Sequence, residues 1–498
     1  MVNLVRVAPE AAGVSRVALE KLIADLDAFA GVHSLLVLRG GKVVAEANWA
    51  PYVPQQPHMM FSVTKTFTAI AIGLLVAEGK LSVDDKVIDL LPEFAPAKPS
   101  RKLQKMTVWH LLTMSTGHVT EPKVGRGNWA RMILRHPVKA EPGSHFMYNP
   151  MASHLLSVIA TKLTGQKLID YLAPRLFEPL GYQPVTWEQD PQGNNTGGWG
   201  LTLHPEELAQ LGQLLLQRGA WAGRQLVPAS WVDAMMARQV DSSPQGWGPN
   251  SAAGYGYQMW RCPVDAARAD GAFGQFAIVW PEHDAVIATT SGVDHSGPHS
   301  NYALLDTIYQ NLENAFGEVP DIPIQTKDSR STTTSSCAKS QDLESVNIRA
   351  RTSVAELPIE WNGSLPMPQG AATSSLLEKI DGKPYVIDGT KDTVTLRRQG
   401  DLLELTYSHK PATTHVSAHG TWHRFTAPGP DGNPQPAASS YAWPDPHTLT
   451  LQTYGTATPF GWTHTLTWDD AAETIHVQIN QNVAFNNTEI LNAKAHQK

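Results

Sequence analysis

Two periodicities share the first 318 residues. "HSLLVLRGGKVVAEANW" places two short apolar-rich runs on either side of Gly40-Gly41 and predicts two strands joined as a hairpin. Residues 62–78 carry apolar side chains at helical spacing and stop before Gly79, where glycine takes its usual place after a helix. "MASHLLSVIATKLTG" predicts a second helix closed by Gly165. "HPEELAQLGQLLLQRG" predicts a third, with Pro205 in its first turn, acids next and Gly219 after it. "GQFAIVWPEHDAVIATTSG" reads as two more strands joined around Pro281–Asp284. Strands at both ends with helices between them imply one sheet built from N- and C-terminal stretches, with a helical region inserted.

The pattern then changes. "QTKDSRSTTTSSCAKSQD", Gln325 to Asp342, is polar and poor in large apolar residues, as a solvated linker is. Beyond it, "DTVTLRRQGDLLELTYS", "HTLTLQTYG", "WTHTLTW" and "TIHVQIN" alternate with period two between turn signals such as Asp381-Gly382 and Asp431-Gly432. Short strands in such a run predict a β-barrel or sandwich. The expected organisation is an α+β domain over residues 1–320, a linker over 321–356 and an all-β domain over 357–498.

Composition narrows the function classes. The chain has 498 residues, 42% hydrophobic and 17% charged, enough apolar material for large cores. Its net charge of −7 offers no basic footprint for nucleic acid. Cys262 and Cys337 make neither a disulfide framework nor a CxxC zinc pair. The start, "MVNLVRVAPEAAGVSRVALEK", lacks a basic stretch followed by an apolar one, and "AIAIGLLVA" is far shorter than the ~20 residues that span a bilayer. The expectation is a cytoplasmic protein without a membrane span, acting on a small molecule, with a homo-oligomer as an option.

Candidate chemistry centres on "FSVTK". Residues i and i+3 share one helix face, so Ser62 and Lys65 would point the same way. At a helix start, free N–H groups and the dipole favour negative charge on the serine oxygen, and an adjacent amine can take its proton. The plainer alternative is an N-cap serine and a surface lysine. A second SxxK, Ser336 to Lys339, lies in the polar linker with no apolar helix to hold it. Tyr148, just before the second helix, is either core or a general base if nearby cations depress its pKa. Gly271 and Gly274 open a strand, where glycine permits a bulge or the close approach of another backbone or a ligand. Trp199 and Trp247 sit in glycine-rich loops, where they either line a substrate cleft or pack as core aromatics.

In their order, these features resemble the serine hydrolases of the β-lactamase and penicillin-binding-protein superfamily. The nearest branch holds class C-like enzymes, family VIII esterases, D-aminopeptidases and amide-oligomer hydrolases. "FSVTKTFTAIAIGLLVAEGKLSVDDKVIDLLPEF", "MTVWHLLTMSTG" and "WGLTLHPEELAQLGQLLLQRG" carry the likeness, which covers residues 8–318. The resemblance implies a β-lactamase-like fold followed by a lipocalin-like barrel. It implies Ser62 as the acylated nucleophile, Lys65 and Tyr148 as a joint base, and the backbone N–H groups of Ser62 and Ala272 as the oxyanion hole. Asn149, Gly271 and Trp199 would meet the substrate. Two departures stand out. The family's tyrosine-any-asparagine motif reads Tyr148-Asn149-Pro150, and its cationic third motif reads Ala269-Asp270-Gly271. A literal match, Tyr309-Gln310-Asn311, falls after the third motif in an expected closing helix.

The missing cation argues against efficient β-lactam hydrolysis and for esters, amides or D-amino acid peptides. The alternative is a binding or sensing protein that acylates without turnover. Absence of GxSxG, HExxH and GxxxxGK[ST] removes the nucleophile elbow, the zincin and the P-loop. No cofactor or metal is expected: His295 and His299 are separated by Gly297-Pro298, which prevents a helix from aligning them.

Overall fold

The computed structural model describes residues 4–317, 357–428 and 433–498. The expected linker, the second SxxK, Cys337 and the Asp431-Gly432 turn lie outside the described residues.

A seven-stranded sheet organises the first part of the chain. Its strands are β1 (Val32–Arg39), β2 (Lys42–Ala50), β3 (Trp260–Arg261), β4 (Ala267–Gly271), β5 (Gln275–Trp280), β6 (Ala285–Ser291) and β7 (Ile359–Ser364), in the order β7-β2-β1-β6-β5-β4-β3. The β1–β2 hairpin turns at Gly40 and Gly41, whose φ values of 56° and 71° are the left-handed pair that a two-residue hairpin turn needs. β1 and β6 pair antiparallel at the centre, so both ends of the segment meet in one sheet. Ile359–Ser364 fall in the stretch assigned from sequence to the C-terminal unit, and they run parallel to β2 as an edge strand of this sheet.

Both faces of the sheet are covered, which is why β1 reads as an unbroken apolar run. Leu35 and Val37 join one core with Leu19 and Leu22 of α1 (Arg16–Asp27). Leu36 and Leu38 join the opposite core. That core includes α2 (Thr64–Ala77), α3 (Pro150–Thr164) and α4 (Pro205–Leu216), the three helices foreseen from apolar spacing. α5 (Asn301–Leu312) packs beside α1. It carries Tyr309 and Asn311, so the literal YxN lies in the closing helix.

The C-terminal strands form a closed barrel. Four strands, β8 (Pro384–Ile387), β9 (Thr393–Gln399), β10 (Leu402–Tyr407) and β11 (Thr413–His419), are followed by a flanking strand, β12 (His423–Pro428). Five more complete the wall: β13 (Pro434–Asp445), β14 (Thr448–Gly455), β15 (Gly461–Asp469), β16 (Thr474–Gln481) and β17 (Glu489–Gln497). β8 pairs with β17, and β11 closes onto β13 in parallel, which leaves β12 outside on β13. Closure removes the free edges that an open sheet would expose. A short helix, α6 (Leu376–Ile380), packs its apolar residues with those of the barrel core.

The barrel docks close to the SxxK segment. Ala457, in the β14–β15 turn, accepts a hydrogen bond from the Met59 amide at 2.9 Å, and the Tyr52 hydroxyl donates to the Thr458 carbonyl at 2.9 Å. Arg424 donates to the Pro51 carbonyl. Among the described residues, no helix is long and apolar enough to cross a membrane.

Candidate active site

Ser62 sits in a single turn, Phe61–Val63, that leads into α2. Phe61 holds φ at 47°, a left-handed conformation that a bulky residue adopts at a cost of about 1–3 kcal/mol. Lys65 lies one turn on and is 1% exposed. Its Nζ stands 2.7 Å from Ser62 Oγ and donates to the Gly198 carbonyl at 2.6 Å. Burial lowers the amine from 10.5 to about 7, against the opposing pull of Glu121 and Asp270.

Tyr148 is positioned by the start of α3. Asn149 is the N-cap: its Oδ1 accepts from the Met151 amide at 3.1 Å, with Pro150 following in the first turn. The ring of Tyr148 stacks on Trp260, centroids 5.6 Å apart, and Lys65 Nζ lies 4.9 Å from its centroid. Burial raises the phenol well above its ordinary value, and hydrogen bonding with Ser62 opposes that only in part. The direction is opposite to the lowering that a phenolate base would need.

Strand β4 runs against the segment that precedes the serine. A side chain at Gly271 would put its Cβ 2.3 Å from the Met60 carbonyl oxygen, so glycine is what lets β4 approach. Ala272 follows, in the bend before β5, and lines the same cavity as Ser62. The cavity holds about 720 Å³, within the range of small-molecule sites. Ser62, Tyr148, Ala272, Trp199 and Trp247 all face it.

The sequence-derived residues therefore converge, with two qualifications of place. Asn149 is fully buried; besides capping α3, its Nδ2 meets His118 Nδ1 at 3.2 Å, and it does not line the cavity. Gly271 also stays behind the lining, where it shapes the approach of β4. Residues not foreseen complete the walls. Asp270 and Tyr302 contribute from the sheet and from α5. His295, weighed from sequence only as a metal ligand, lines the cavity as well. Phe485, from the β16–β17 connection of the barrel, reaches the cavity and stands 6.0 Å from Phe61 and 4.8 Å from Phe273, ring to ring. Period-two patterning places Phe485 in a loop between strands and carries no signal for what that loop touches. Among the described residues, no group of three or more His, Cys, Asp or Glu is arranged to hold a metal ion.

Comparison with known proteins identifies the family. A 6-aminohexanoate-dimer hydrolase of Paenarthrobacter ureafaciens is 24% identical over 282 residues, covering 52% of this chain and 72% of that protein. A putative D-alanyl-D-alanine carboxypeptidase of Escherichia coli K12 is 26% identical over 178 residues, 30% of this chain and 41% of that protein. The crystal structure of a putative beta-lactamase from Bacteroides dorei shares the fold, with a TM-score of 0.50 and 17% identity over 60% of this chain and 98% of that one. The beta-lactamase family model matches residues 19–307, more than half of the length and all of the sheet except β7. On that match, this chain belongs to the beta-lactamase family of serine hydrolases, in the superfamily shared with the penicillin-binding proteins.

Proposed function

We propose that the protein hydrolyses esters and amides through an acyl-enzyme on Ser62, with Lys65 as the base. The observation that carries this reading is the buried amine 2.7 Å from the serine hydroxyl. With its pKa near 7, a large fraction of Lys65 is neutral at neutral pH. A neutral amine keeps two N–H groups and one lone pair. One N–H can hold the Gly198 carbonyl while the lone pair accepts the Ser62 proton.

The proposed sequence balances as follows. Ser62 Oγ bonds to the carbonyl carbon as its proton passes to Lys65 Nζ. The carbonyl oxygen takes negative charge against the backbone N–H groups of Ser62 and Ala272, each such donor being typically worth ~10²–10³ in rate. The carbon–leaving-group bond then breaks. The leaving oxygen or nitrogen receives a proton from the Tyr148 phenol, which is refilled from Lys65. Water repeats the cycle on the ester, with Lys65 as base again, and frees the acid.

Domain organisation enters the same reading: residues 1–320 supply the nucleophile, 321–356 connect, and the C-terminal unit lends the barrel loop that carries Phe485 to the cavity. The position of the family's third-motif cation is occupied by Ala269, and Asp270 faces the cavity. This supports esters, amides or D-amino acid peptides over efficient turnover of β-lactams, whose carboxylate needs a cation. The names of the two relatives, a dimer hydrolase and a carboxypeptidase, support a hydrolytic outcome.

The test uses p-nitrophenyl acetate and butyrate. Expected are steady release of nitrophenol and an acyl adduct on Ser62 by mass spectrometry, both lost in Ser62→Ala. A stoichiometric adduct without turnover would favour the sensing alternative. Turnover that survives Ser62→Ala would overturn the reading.

A further inference from the structure

Among the described residues, the cavity lining contains one carboxylate, Asp270, and no lysine or arginine side chain. The cation that balances Asp270 is placed behind it. Arg268 Nε donates to Asp270 Oδ2 at 2.8 Å, and the side chains are 1% and 16% exposed respectively. Arg268 Nη1 turns away to the Arg261 carbonyl at 3.2 Å, and its guanidinium carbon lies 5.8 Å from the centroid of Trp260, itself a wall of the cavity. A ligand therefore meets the carboxylate and the indole, and the guanidinium lies beneath both. The Lys65 amine sits under Ser62 and outside the lining, and His295, on the cavity wall, is near enough to Asp270 to act on its charge.

The remaining walls suit a cation as well. Tyr148, Trp247 and Trp260 form an aromatic cluster with ring centroids 5.5–6.1 Å apart. Tyr302 lies near enough to Asp270 to feel its charge. Aromatic faces carry negative quadrupole and attract ammonium groups. Asn301 also lines the cavity and is 4% exposed, which adds an uncharged polar residue beside the carboxylate.

Taking Ser62 as the nucleophile, we infer that Asp270 and the aromatic walls form a subsite for a cationic amine on the substrate, so that the enzyme prefers ammonium-bearing esters or amides over neutral isosteres and rejects carboxylate-bearing ones. Asp270 is here a specificity-determining residue. The chain orders its charges inversely to a carboxylate-binding site: the anion is in front and the cation behind.

Paired esters test this. In one arm the charge is on the acyl chain: p-nitrophenyl 6-aminohexanoate, its neutral analogue p-nitrophenyl heptanoate, and the mono-p-nitrophenyl ester of adipic acid. In the other it is on the leaving group: 2-aminoethyl butyrate against propyl butyrate. In wild-type enzyme, at least one arm should show kcat/KM about tenfold higher for the ammonium member, and the adipate ester should be the poorest of its set. In Asp270→Asn the ammonium-to-neutral ratio should fall towards one, and Asp270→Glu should restore part of it. Because Asp270→Asn leaves Arg268 buried without its partner, that variant could fail to fold. Inhibition of the wild-type enzyme therefore gives an independent reading: n-butylammonium should inhibit competitively at about tenfold lower concentration than n-butanol, and butyrate more weakly than either. Ratios at or below one in both arms, or butanol inhibiting as well as butylammonium, would overturn the inference. So would an unchanged ratio in folded Asp270→Asn. Neutral esters turned over through Ser62 with no cation preference would defeat this subsite alone; turnover independent of Ser62 would defeat the reading beneath it.

Discussion

Replacing Lys65 by methionine should destroy activity and stabilise the fold, by an amount that depends on pH. Burial lowers the folded-state pKa of this amine from 10.5 to about 7. At 1.36 kcal/mol per pH unit, holding the charged form inside the protein costs roughly 5 kcal/mol. Proton linkage gives the sign. Between pH 7 and 10.5 the unfolded chain binds a proton that the folded chain does not, so stability rises with pH across that window. The full penalty applies below pH 7 and is relieved above it. Methionine removes the penalty but leaves the Gly198 carbonyl without its 2.6 Å donor, a loss of about 1–3 kcal/mol. The variant should thus exceed wild type by roughly 2–4 kcal/mol at pH 6. Titration of the wild-type lysine should shrink that gap by roughly 2–3 kcal/mol at pH 9. Urea unfolding of both proteins at the two pH values, followed by tryptophan fluorescence, measures it. In parallel, wild-type kcat/KM should fall on the acid side of pH 7 and be undetectable in the variant. A gap that does not change with pH, or a variant less stable at both, would show that Lys65 carries an ordinary charge, and the proposed base would be lost with it.

Other consequences are open to direct measurement. Tyr148→Phe should lower kcat/KM by about 10²-fold, and more for alkyl than for nitrophenyl leaving groups, because only the former need a proton as they depart; equal losses for both would remove the phenol from that role. Phe485→Ala opens a wall supplied by the barrel, so KM for long acyl chains should rise several-fold while acetyl esters change little. The barrel should weaken in acid. His415, held at about 4, and His464, well below 6.5, are buried and neutral, with rings 4.4 Å apart. Both gain protons on unfolding, so stability is lost as pH falls from about 6.5 towards 4, and His415→Gln should flatten that dependence in thermal scans between pH 4 and 7.

Much of this could be read directly from residue order. The hairpin at Gly40-Gly41, the helices ending before Gly79 and at Gly165, and the strands around Pro281–Asp284 are local events, set by turn chemistry and by apolar spacing that recurs within a dozen residues. The Ser62–Lys65 pair belongs to the same class, since one helical turn brings the two side chains together whatever surrounds them. The period-two run after the linker announced strands, but left barrel and sandwich equally open. Only the parallel closure of β11 on β13 chose between them, through a contact that no single strand encodes.

Sequence alone thus determined the elements and the chemical pair, because both depend on separations of a few residues. Tertiary structure decided the rest. It buried Lys65 and so set its proton affinity. It brought β4 against the Met60 carbonyl, buried Asn149 against His118, set Asp270 on the wall of the serine's cavity, and carried Phe485 there from more than 400 residues away. Desolvation, charge order and cavity shape are properties of what packs around a residue, and those neighbours arrive from stretches of chain that carry no mark of one another.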